Sequence, residues 1–398
     1  MAVSSITTAR IFRGSAKIGS MILTEEQRMV RDMARDFATD KLVPHATEWD
    51  RDAVFPAKAI REMGRLGLMG MLIPQEWDGA GTDNIAYIMA LEEIAAGDGA
   101  CSTIMTVHNT VACMPIYKFG TDEQKECFLR PLARGELLGG FALTEPEAGS
   151  DASALRTRAV RDGNRWVVNG TKQFITSGKN ADIIIVFAVT DPEAGKRGIS
   201  AFIVPTSTPG YQVVSVERKL GQKASDTCQL RFEGMELTPD LMLGQEGEGY
   251  KIALSNLEGG RIGIAAQAVG MARAAYEAAL GYAKERESMG TVIVNHQAVG
   301  FRLADMVTKL EAARQLTLHA ATLRDAGMPC LKEAAMAKLY ATEMAEAVCS
   351  ASIQTHGGVG YLEDFAVARI YRDVRVCKIY EGTSDIQRLI ICREISKG

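Results

Sequence analysis

A glutamate followed by a glycine near the carboxyl end of the chain has the surroundings of a general base. Glu381 comes after two apolar residues and before Gly382 in the segment CKIYEGTSDIQR (377–388). Partial desolvation of such a carboxylate raises its pKa, which improves its basicity near neutral pH. Gly382 lets a ligand approach the backbone, and the S-x-x-Q spacing of Ser384 and Gln387 predicts that a helix begins beside it. The alternative is a joint between two helices that carries one solvated glutamate.

The bulk properties describe an ordinary soluble protein that is too long for a single simple core. The chain has 398 residues, of which 47% are apolar and 24% charged, and its net charge of -4 gives no electrostatic case for nucleic-acid binding. It contains no apolar run long enough to predict a membrane span. Its eight cysteines include no C-x-x-C pair, so we expect reduced, buried thiols and no metal site.

The first 22 residues differ in composition from the rest. They contain no acidic residue but include Arg10, Arg13 and Lys17 among Ser, Thr and Ala. This composition resembles a mitochondrial presequence. An N-terminal tail or an expression remnant is the alternative. We therefore expect the mitochondrial matrix as the location if the source is eukaryotic, and the cytoplasm if it is bacterial.

Three regions with different periodicity follow this N-terminal tail, residues 1–22. Residues 23–138 carry helical patterns, with capping-box spacing at Thr24 and at Thr121. Residues 139–248 contain short segments rich in β-branched and aromatic residues, which predict a β-barrel or sandwich. Residues 249–398 predict long helices joined by short loops, which is typical of an antiparallel four-helix bundle. The predicted strands lie at 157–161, 165–170, 182–189, 199–204, 211–217 and 228–233.

Several common nucleotide and hydrolase motifs are missing from the sequence. No G-x-G-x-x-G follows a predicted strand, and neither a Walker-type loop nor a G-x-S-x-G elbow is present. A dinucleotide would therefore need a different type of binding site.

The segment IYEGTSDIQR closely resembles the catalytic signature of the acyl-CoA dehydrogenase family. The resemblance extends from about Leu23 to Glu394, and the predicted α, β, α order agrees with the family's fold, which is of the α+β class. The further segments that resemble the family, in the same order, are FALTEPEAGSD (141–151), KQFITSG (172–178), GGRIGIAAQAVG (259–270), RESMG (286–290), NHQAVGFRLADM (295–306) and QTHGGVGY (354–361).

The resemblance implies that the protein binds FAD between the middle domain and the C-terminal bundle, with part of the cofactor held by a neighbouring subunit. Without it, the segments around 141–150 and 174–176 would be interpreted as a turn and a strand. Two positions depart from the family's pattern, since Met289 stands where Phe is usual and Asp385 is shorter than the usual Glu or Gln. The implied cofactor-binding residues are Phe141, Leu143, Thr144, Gly149, Ser150, Phe174, Ile175, Thr176, Arg286, Ser288, Gln297, Gln354, Gly357, Gly358, Thr383 and Asp385.

The resemblance also implies the reaction. Glu381 would remove the α-proton of an acyl-CoA while the flavin N5 accepts the β-hydrogen as hydride, giving a trans-2-enoyl-CoA. Some members carry the catalytic glutamate on the helix just before the arginine, but that position is Gly260 here. The implied substrate-binding residues are Ser150, Glu258, Arg261 and Gly382. His356 lies in an adenosine-side motif, so we expect it to have a structural role.

The implied partners are those of short-chain and short-branched-chain members. We expect a homotetramer built as a dimer of dimers that passes electrons to an electron-transferring flavoprotein, in fatty acid β-oxidation or branched-chain amino acid catabolism. Two alternatives stay open: an acyl-CoA oxidase, which usually has a longer chain, and a non-catalytic helical scaffold of the same fold.

Overall fold

The computed structural model describes residues 23–397, so the interpretation of residues 1–22 as a presequence or tail lies outside the described residues. The first part is helical, as predicted, and both predicted capping boxes form, at Thr24 and at Thr121. Segments of wider π-helical turn join some helices, at 38–42, 108–113 and 125–129. The helices are α1 (Glu25–Phe37), α2 (Ala46–Asp52), α3 (Ala57–Arg65), α4 (Asn84–Gly97), α5 (Gly99–Val107), α6 (Met114–Phe119), α7 (Asp122–Gln124) and α8 (Arg130–Ala133).

The middle part is a mixed eight-stranded sheet. Its strands are β1 (Gly139–Ala142), β2 (Arg158–Asp162), β3 (Arg165–Thr176), β4 (Ile183–Val189), β5 (Ile199–Pro205), β6 (Tyr211–Val216), β7 (Thr227–Leu237) and β8 (Met242–Leu243). The strand order is β6-β7-β3-β2-β4-β5-β8, and β1 pairs in parallel with β4.

Strand β3 is longer than the sequence predicted. The polar Asn169 and Gly170 end the apolar alternation, which is why the prediction stopped at residue 170. The strand continues to Thr176 because it pairs with β7 across two irregularities, one between Val168 and Gly170 and one between Lys172 and Ile175. A β-bulge of this kind turns a side chain out of the regular alternation.

Long helices form the last part, which confirms the predicted α, β, α order. They are α9 (Gly249–Glu285), α10 (Gln297–Asp325), α11 (Leu331–His356), α12 (Ala366–Val374) and α13 (Ser384–Ile395), with a small hairpin of β9 (Glu287–Ser288) and β10 (Thr291–Val292) after α9. Helix α9 packs against α4, α10 and α11, and α11 packs against α13. Alanines fill the α9–α11 contact, so the two helix backbones come close together. The predicted boundaries after residues 138 and 248 stay predictions.

A buried cluster of charges joins the N-terminal helices to the bundle. Arg273 on α9 donates to Glu93 on α4 at 2.6 Å, and Arg314 on α10 donates to Glu92 at 2.6 Å. Arg35 on α1 also binds Glu93, at 2.8 Å. Breaking a buried ion pair leaves an uncompensated charge at a high cost, so the cluster fixes how α4 lies against α9 and α10.

A second polar network joins all three parts behind the segment that contains Glu381. Tyr380 donates to Gln267 on α9 at 2.5 Å, and Gln267 donates to Thr103 on α5 at 2.6 Å. Thr103 donates in turn to Gln222 of the middle part at 2.5 Å. Gln222 also donates to the backbone of Asp373 at 3.1 Å. The residue before Glu381 is therefore anchored to all three parts of the fold.

No helix among residues 23–397 is both long enough and apolar enough to cross a lipid bilayer.

Candidate active site

Glu381 lies in a tight left-handed turn between a short 3₁₀ helix (Arg375–Lys378) and α13. Its φ is 51° and that of Gly382 is 92°. A left-handed conformation is unfavourable for a residue with a Cβ, so the surrounding structure must hold Glu381 in it. Helix α13 begins one residue earlier than the S-x-x-Q spacing predicted, because Thr383 and not Ser384 is the N-cap and accepts from the N–H of Ile386.

The carboxylate of Glu381 occupies the space that a side chain at position 260 would need. A Cβ built on Gly260 would meet Oε2 of Glu381 at 1.9 Å and its Cδ at 2.8 Å. Gly260 lies in the middle of α9, where glycine is otherwise unfavourable. Because Gly260 has no side chain, the carboxylate of Glu381 fits against α9.

Glu381 is a buried acid without a hydrogen-bond partner. The residue as a whole is half-buried, but neither carboxylate oxygen is accessible to solvent or has a partner among the described residues. Burial raises the pKa of Glu381 to about 7, although the positive charges of Lys338 and Arg261 act in the opposite direction. Two cations close to this carboxylate keep part of it ionised at neutral pH.

Two of the predicted substrate-binding residues lie beside Glu381 on α9. Arg261 is 6% exposed and its Nε has no partner within residues 23–397. Burial lowers the pKa of Arg261, and the charges of Glu381 and Glu258 oppose that change, so the three groups are close together. Glu258 forms an ion pair with Arg324 at 3.4 Å and accepts from the thiol of Cys330.

The predicted turn 141–150 is held on β3 by a buried ion pair. Lys172 is fully buried and donates to Glu145 at 2.8 Å and to the carbonyl of Leu143 at 3.0 Å. Glu145 also accepts from the N–H groups of Arg156 and Thr157. The Glu145 carboxylate is thus fully partnered, which excludes it as a free base in this conformation. Gly149 and Ser150 are exposed at the end of the turn.

An aromatic side chain projects from the sheet beside this turn. Phe174 lies in the β3 bulge with a φ of 59° and is 59% exposed. Its neighbour Ile175 points into the core, so only the backbone of Ile175 can meet a ligand. The N–H of Gln173 donates to the carbonyl of Thr144 at 2.9 Å. The hydrogen bond between Gln173 and Thr144 therefore places the predicted residues Thr144 and Phe174 close together. Phe141 on β1 packs on Phe187, and Thr176 ends β3.

A second group of predicted cofactor residues lies at the far end of α9. Arg286 and Ser288 are exposed in the β9–β10 hairpin, and Met289 at its tip is 94% exposed. The exposed turn of Gly357 and Gly358 lies nearby, because His356 stacks on Tyr282 of α9 with ring centroids 4.6 Å apart. Gln354 and Gln297 are exposed in the same region.

His356 is held by the fold and has no partner that suggests catalysis. Its Nδ1 is 2.8 Å from the carbonyl of Ser352, and its ring also contacts Phe365. Burial lowers the pKa of His356, so the ring is neutral near neutral pH. These contacts agree with a structural role at the end of α11.

The side chains of Thr383 and Asp385 make their contacts with residues of α13. The hydroxyl of Thr383 accepts from the N–H of Ile386 at 3.3 Å, and Asp385 pairs with Arg388 at 3.1 Å. The side chain of Asp385 is mostly exposed. The described chain therefore does not bring Asp385 towards Glu381.

Sequence reasoning missed three groups that hold these segments. Lys338 and Gln387 donate to the carbonyl of Gly382 at 2.5 and 2.8 Å, and Lys172 anchors Glu145. A signal for Lys338 was present, because the lysine stands among alanines and methionine on the buried side of α11. No comparable signal marked Lys172, which looks like an ordinary polar residue of a strand.

Comparison with known proteins identifies relatives over nearly the whole chain. The models of the acyl-CoA dehydrogenase N-terminal, middle and C-terminal domains match residues 24–136, 140–235 and 247–396. The short-chain specific acyl-CoA dehydrogenase of Bos taurus mitochondria is 47% identical over 95% of this chain and 92% of its own.

Two solved structures are also similar to this chain over nearly its whole length. A chain in a structure that describes the electron transferring flavoprotein of Acidaminococcus fermentans and flavin-based electron bifurcation is 44% identical, with a TM-score of 0.94 over 95% of this chain and 100% of its own. Butyryl-CoA dehydrogenase from Megasphaera elsdenii is 40% identical, with a TM-score of 0.92 over 94% of this chain and 99% of its own.

Replacing Gly260 by Ala should move the Glu381 carboxylate and leave the fold intact. The added methyl group collides with the far end of a flexible side chain, and Ala stabilises a helix by about 0.5–1 kcal/mol over Gly. We expect an unchanged or higher melting temperature and a roughly 10²-fold slower reaction with the acyl thioesters on which the relatives act.

Gly300→Ala on α10 is the matched control. Its added methyl group makes only an ordinary contact, so it should stabilise the helix without slowing the reaction. Equal rates in the two variants would show that the carboxylate does not need the space at Gly260.

Proposed function

The chain belongs to the acyl-CoA dehydrogenase family, and on that premise we propose that it oxidises a short-chain acyl-CoA to a trans-2-enoyl-CoA with Glu381 as the catalytic base. Like the family, it is an FAD-dependent oxidoreductase. The observation that supports this base is its buried, unpartnered carboxylate against Gly260. Such a group costs stability in a protein of purely structural function, but it suits proton abstraction.

The surroundings of Glu381 suit a base that removes an α-proton. A pKa of about 7 leaves the carboxylate about half ionised at neutral pH, and its basicity is higher than that of an ordinary glutamate. The thioester oxygen gains negative charge as the proton leaves, so it needs fixed donors. The N–H of Glu381 meets no acceptor within residues 23–397 and is available for this role. Arg261 lies close to Glu381, and its positive charge makes the surroundings of the Glu381–Gly382 turn electropositive.

Residues of the chain fit FAD at two separate places. An exposed aromatic ring at Phe174 offers a flat apolar surface for a flavin ring, and Gly357 and Gly358 leave room for close approach, since a Cβ at either would meet nothing within 4 Å. Arg286, which forms no ion pair within the described residues, suits a phosphate. When bound, FAD accepts the β-hydrogen of the substrate as a hydride.

We assign the cofactor contacts to both places. The flavin ring would be held by Phe141, Leu143, Thr144, Gly149, Ser150, Phe174, Ile175 and Thr176, and the rest of FAD by Arg286, Ser288, Gln297, Gln354, Gly357 and Gly358. Thr383 and Asp385, at the start of α13, would touch the flavin edge or the adenosine. Thr383 and Asp385 support this assignment least, because their side chains already contact α13.

The length of α9 supports a site that two copies of the chain complete together. Arg286 follows Gly260 by 26 residues, which is about 39 Å at about 1.5 Å per residue. A dinucleotide beside Glu381 is shorter than this distance, so it cannot reach Arg286 of its own chain along the helix. Large apolar side chains are also exposed on this side of the bundle, among them Met289, Phe301 and Tyr361. These observations support a cofactor site shared by two chains, and with the family resemblance we propose a homotetramer built as a dimer of dimers.

Light scattering of the FAD-bound protein tests the assembly. We expect a mass of four chains of 43.0 kDa each. A mass of one chain with FAD bound would contradict both the tetramer and the shared site, because Arg286 would then have no cofactor to contact.

The wall beside Glu381 supports a short acyl group. Gly263 lies one helical turn after Gly260, and a Cβ there would meet Oγ1 of Thr106 at 2.5 Å and the hydroxyl of Tyr87 at 3.3 Å. Tyr87 is fully buried and donates to Thr106 at 2.9 Å. This packed polar pair leaves little depth for a long apolar chain. Ser150, Glu258, Arg261 and Gly382 would bind the thioester and the pantetheine arm.

A kcat/KM series over straight and 2-methyl-branched acyl-CoAs tests the chain length and the electron acceptor together. We expect the highest value at C4 to C5, with an electron-transferring flavoprotein as the effective acceptor. The relative in the Acidaminococcus structure supports this acceptor. A maximum at C8 or longer would contradict the short-chain assignment, and rapid turnover with oxygen alone would favour an acyl-CoA oxidase.

Glu381→Gln should keep the fold, FAD and substrate binding but lose nearly all reduction of FAD by butyryl-CoA. Gln is close to Glu in shape, but it cannot accept the α-proton, and loss of a general base costs about 10²–10⁴-fold. The measurement is anaerobic bleaching of the oxidised flavin band.

Glu258→Gln is the comparison. The Glu258 carboxylate is already paired with Arg324, so its loss should weaken substrate binding more than it slows the chemical step. Bleaching of Glu381→Gln at the wild-type rate would show that another group is the base. Loss of flavin or of helicity in this variant would make Glu381 a structural residue.

A further inference from the structure

Lys338 is a buried lysine without an acidic partner. It lies on α11, is fully buried, and forms no ion pair within the described residues. The comparison within this chain is Lys172, which is just as buried but donates to Glu145 at 2.8 Å. Burying an ammonium group without a counter-charge is costly, so its presence calls for a benefit other than stability.

The only hydrogen bond of the Lys338 ammonium group among the described residues is to the turn that carries Glu381. Its Nζ donates to the carbonyl of Gly382 at 2.5 Å. Nε2 of Gln387, on the first turn of α13, donates to the same carbonyl at 2.8 Å. The two donors come from different helices and hold the peptide that follows Glu381, where the backbone of both Glu381 and Gly382 is left-handed.

We propose that Lys338 is a positioning residue for the reaction: its ammonium group fixes the Glu381–Gly382 turn, and its positive charge keeps the Glu381 carboxylate ionised in a buried site. This inference rests on the proposed role of Glu381 as the base. Lys338 does not itself exchange a proton with the substrate, and Arg261 supplies a second positive charge from α9.

The charges around Lys338 determine the sign of its effect. The groups that face it are Cys377 from the 3₁₀ helix, Glu381 from the turn, Arg261 from α9 and Glu343 from α11 itself. Burial lowers the pKa of Lys338 to about 8, and Cys377 and Glu381 oppose this. Lys338 is therefore mostly charged at neutral pH. Its charge lowers the pKa of Glu381, so its removal must raise that pKa further above the ordinary value.

Lys338→Met removes the charge with little change of volume or length. The carbonyl of Gly382 still accepts from Gln387, so no buried acceptor is left without a partner. Because burying an unpaired charge is costly, replacing it by an apolar side chain of similar size should be neutral or stabilising. We therefore expect the melting temperature of the FAD-bound tetramer to stay the same or rise.

The test is the pH dependence of kcat/KM for butyryl-CoA, which reports the free enzyme. In Lys338→Met the acid limb should shift to higher pH by about 1 unit. This change alone lowers the ionised fraction at pH 7 from about one half to about one tenth, a loss of about fivefold in rate. Lys338→Arg keeps the charge and should leave the acid limb near its wild-type position.

Lys332→Met is the control, because Lys332 lies on the same helix but its side chain is 43% exposed and paired with Glu333. An unshifted acid limb in Lys338→Met would overturn the proposal. So would a lower melting temperature or loss of folding, because Lys338 would then be a structural residue. Glu381→Gln distinguishes failure of the proposed role of Lys338 from failure of the proposed base. If Glu381→Gln still reduces FAD at the wild-type rate, Glu381 is not the base, whatever the result for Lys338.

Discussion

The fold shields the carboxylate of Glu381 from water and, among the described residues, gives it no hydrogen-bond partner. The pKa of Glu381 is about 7 against an ordinary value of 4.5, so the folded protein holds a proton that the unfolded chain releases between these values. This group therefore lowers the free energy of unfolding as pH rises from 4.5 through 7. The two nearby cations, Lys338 and Arg261, oppose the rise in the pKa of Glu381 and so limit that cost. The missing side chain at Gly260 makes room for the carboxylate, and the N-cap at Thr383 helps to hold the left-handed turn.

All three parts of the fold contribute to that turn. Tyr380, the residue before Glu381, reaches α9 and α5 through Gln267 and Thr103, and the middle part through Gln222. The residue after it is held from α11 and α13. Because every one of these side chains comes from a different element, a shift of any element would move the carboxylate relative to Gly260. This explains why a turn that is unfavourable in isolation can be maintained.

Local patterns in the sequence predicted much of this arrangement. Helical periodicity predicted helices in the first and last parts, and both predicted capping boxes form. Glu381 with its glycine was identified as a base candidate because both signals are adjacent in sequence. What could not be predicted depends on contacts between distant segments. The N-cap of α13 is Thr383 because Ser384 donates to Glu343 on α11. The extension of β3 depends on pairing with β7, and the role of Lys338 depends on how α11 lies against the turn.

Glu381 is a buried carboxyl group whose pKa of about 7 makes it ionise near neutral pH. Infrared difference spectroscopy of the FAD-bound protein, titrated with and without Glu381→Gln, measures this directly. We expect a carboxylate band that grows as pH is raised through about 7 and is absent from the variant. A wild-type protein with no such transition near pH 7, and with Glu381 already ionised at its ordinary pKa of 4.5, would contradict it.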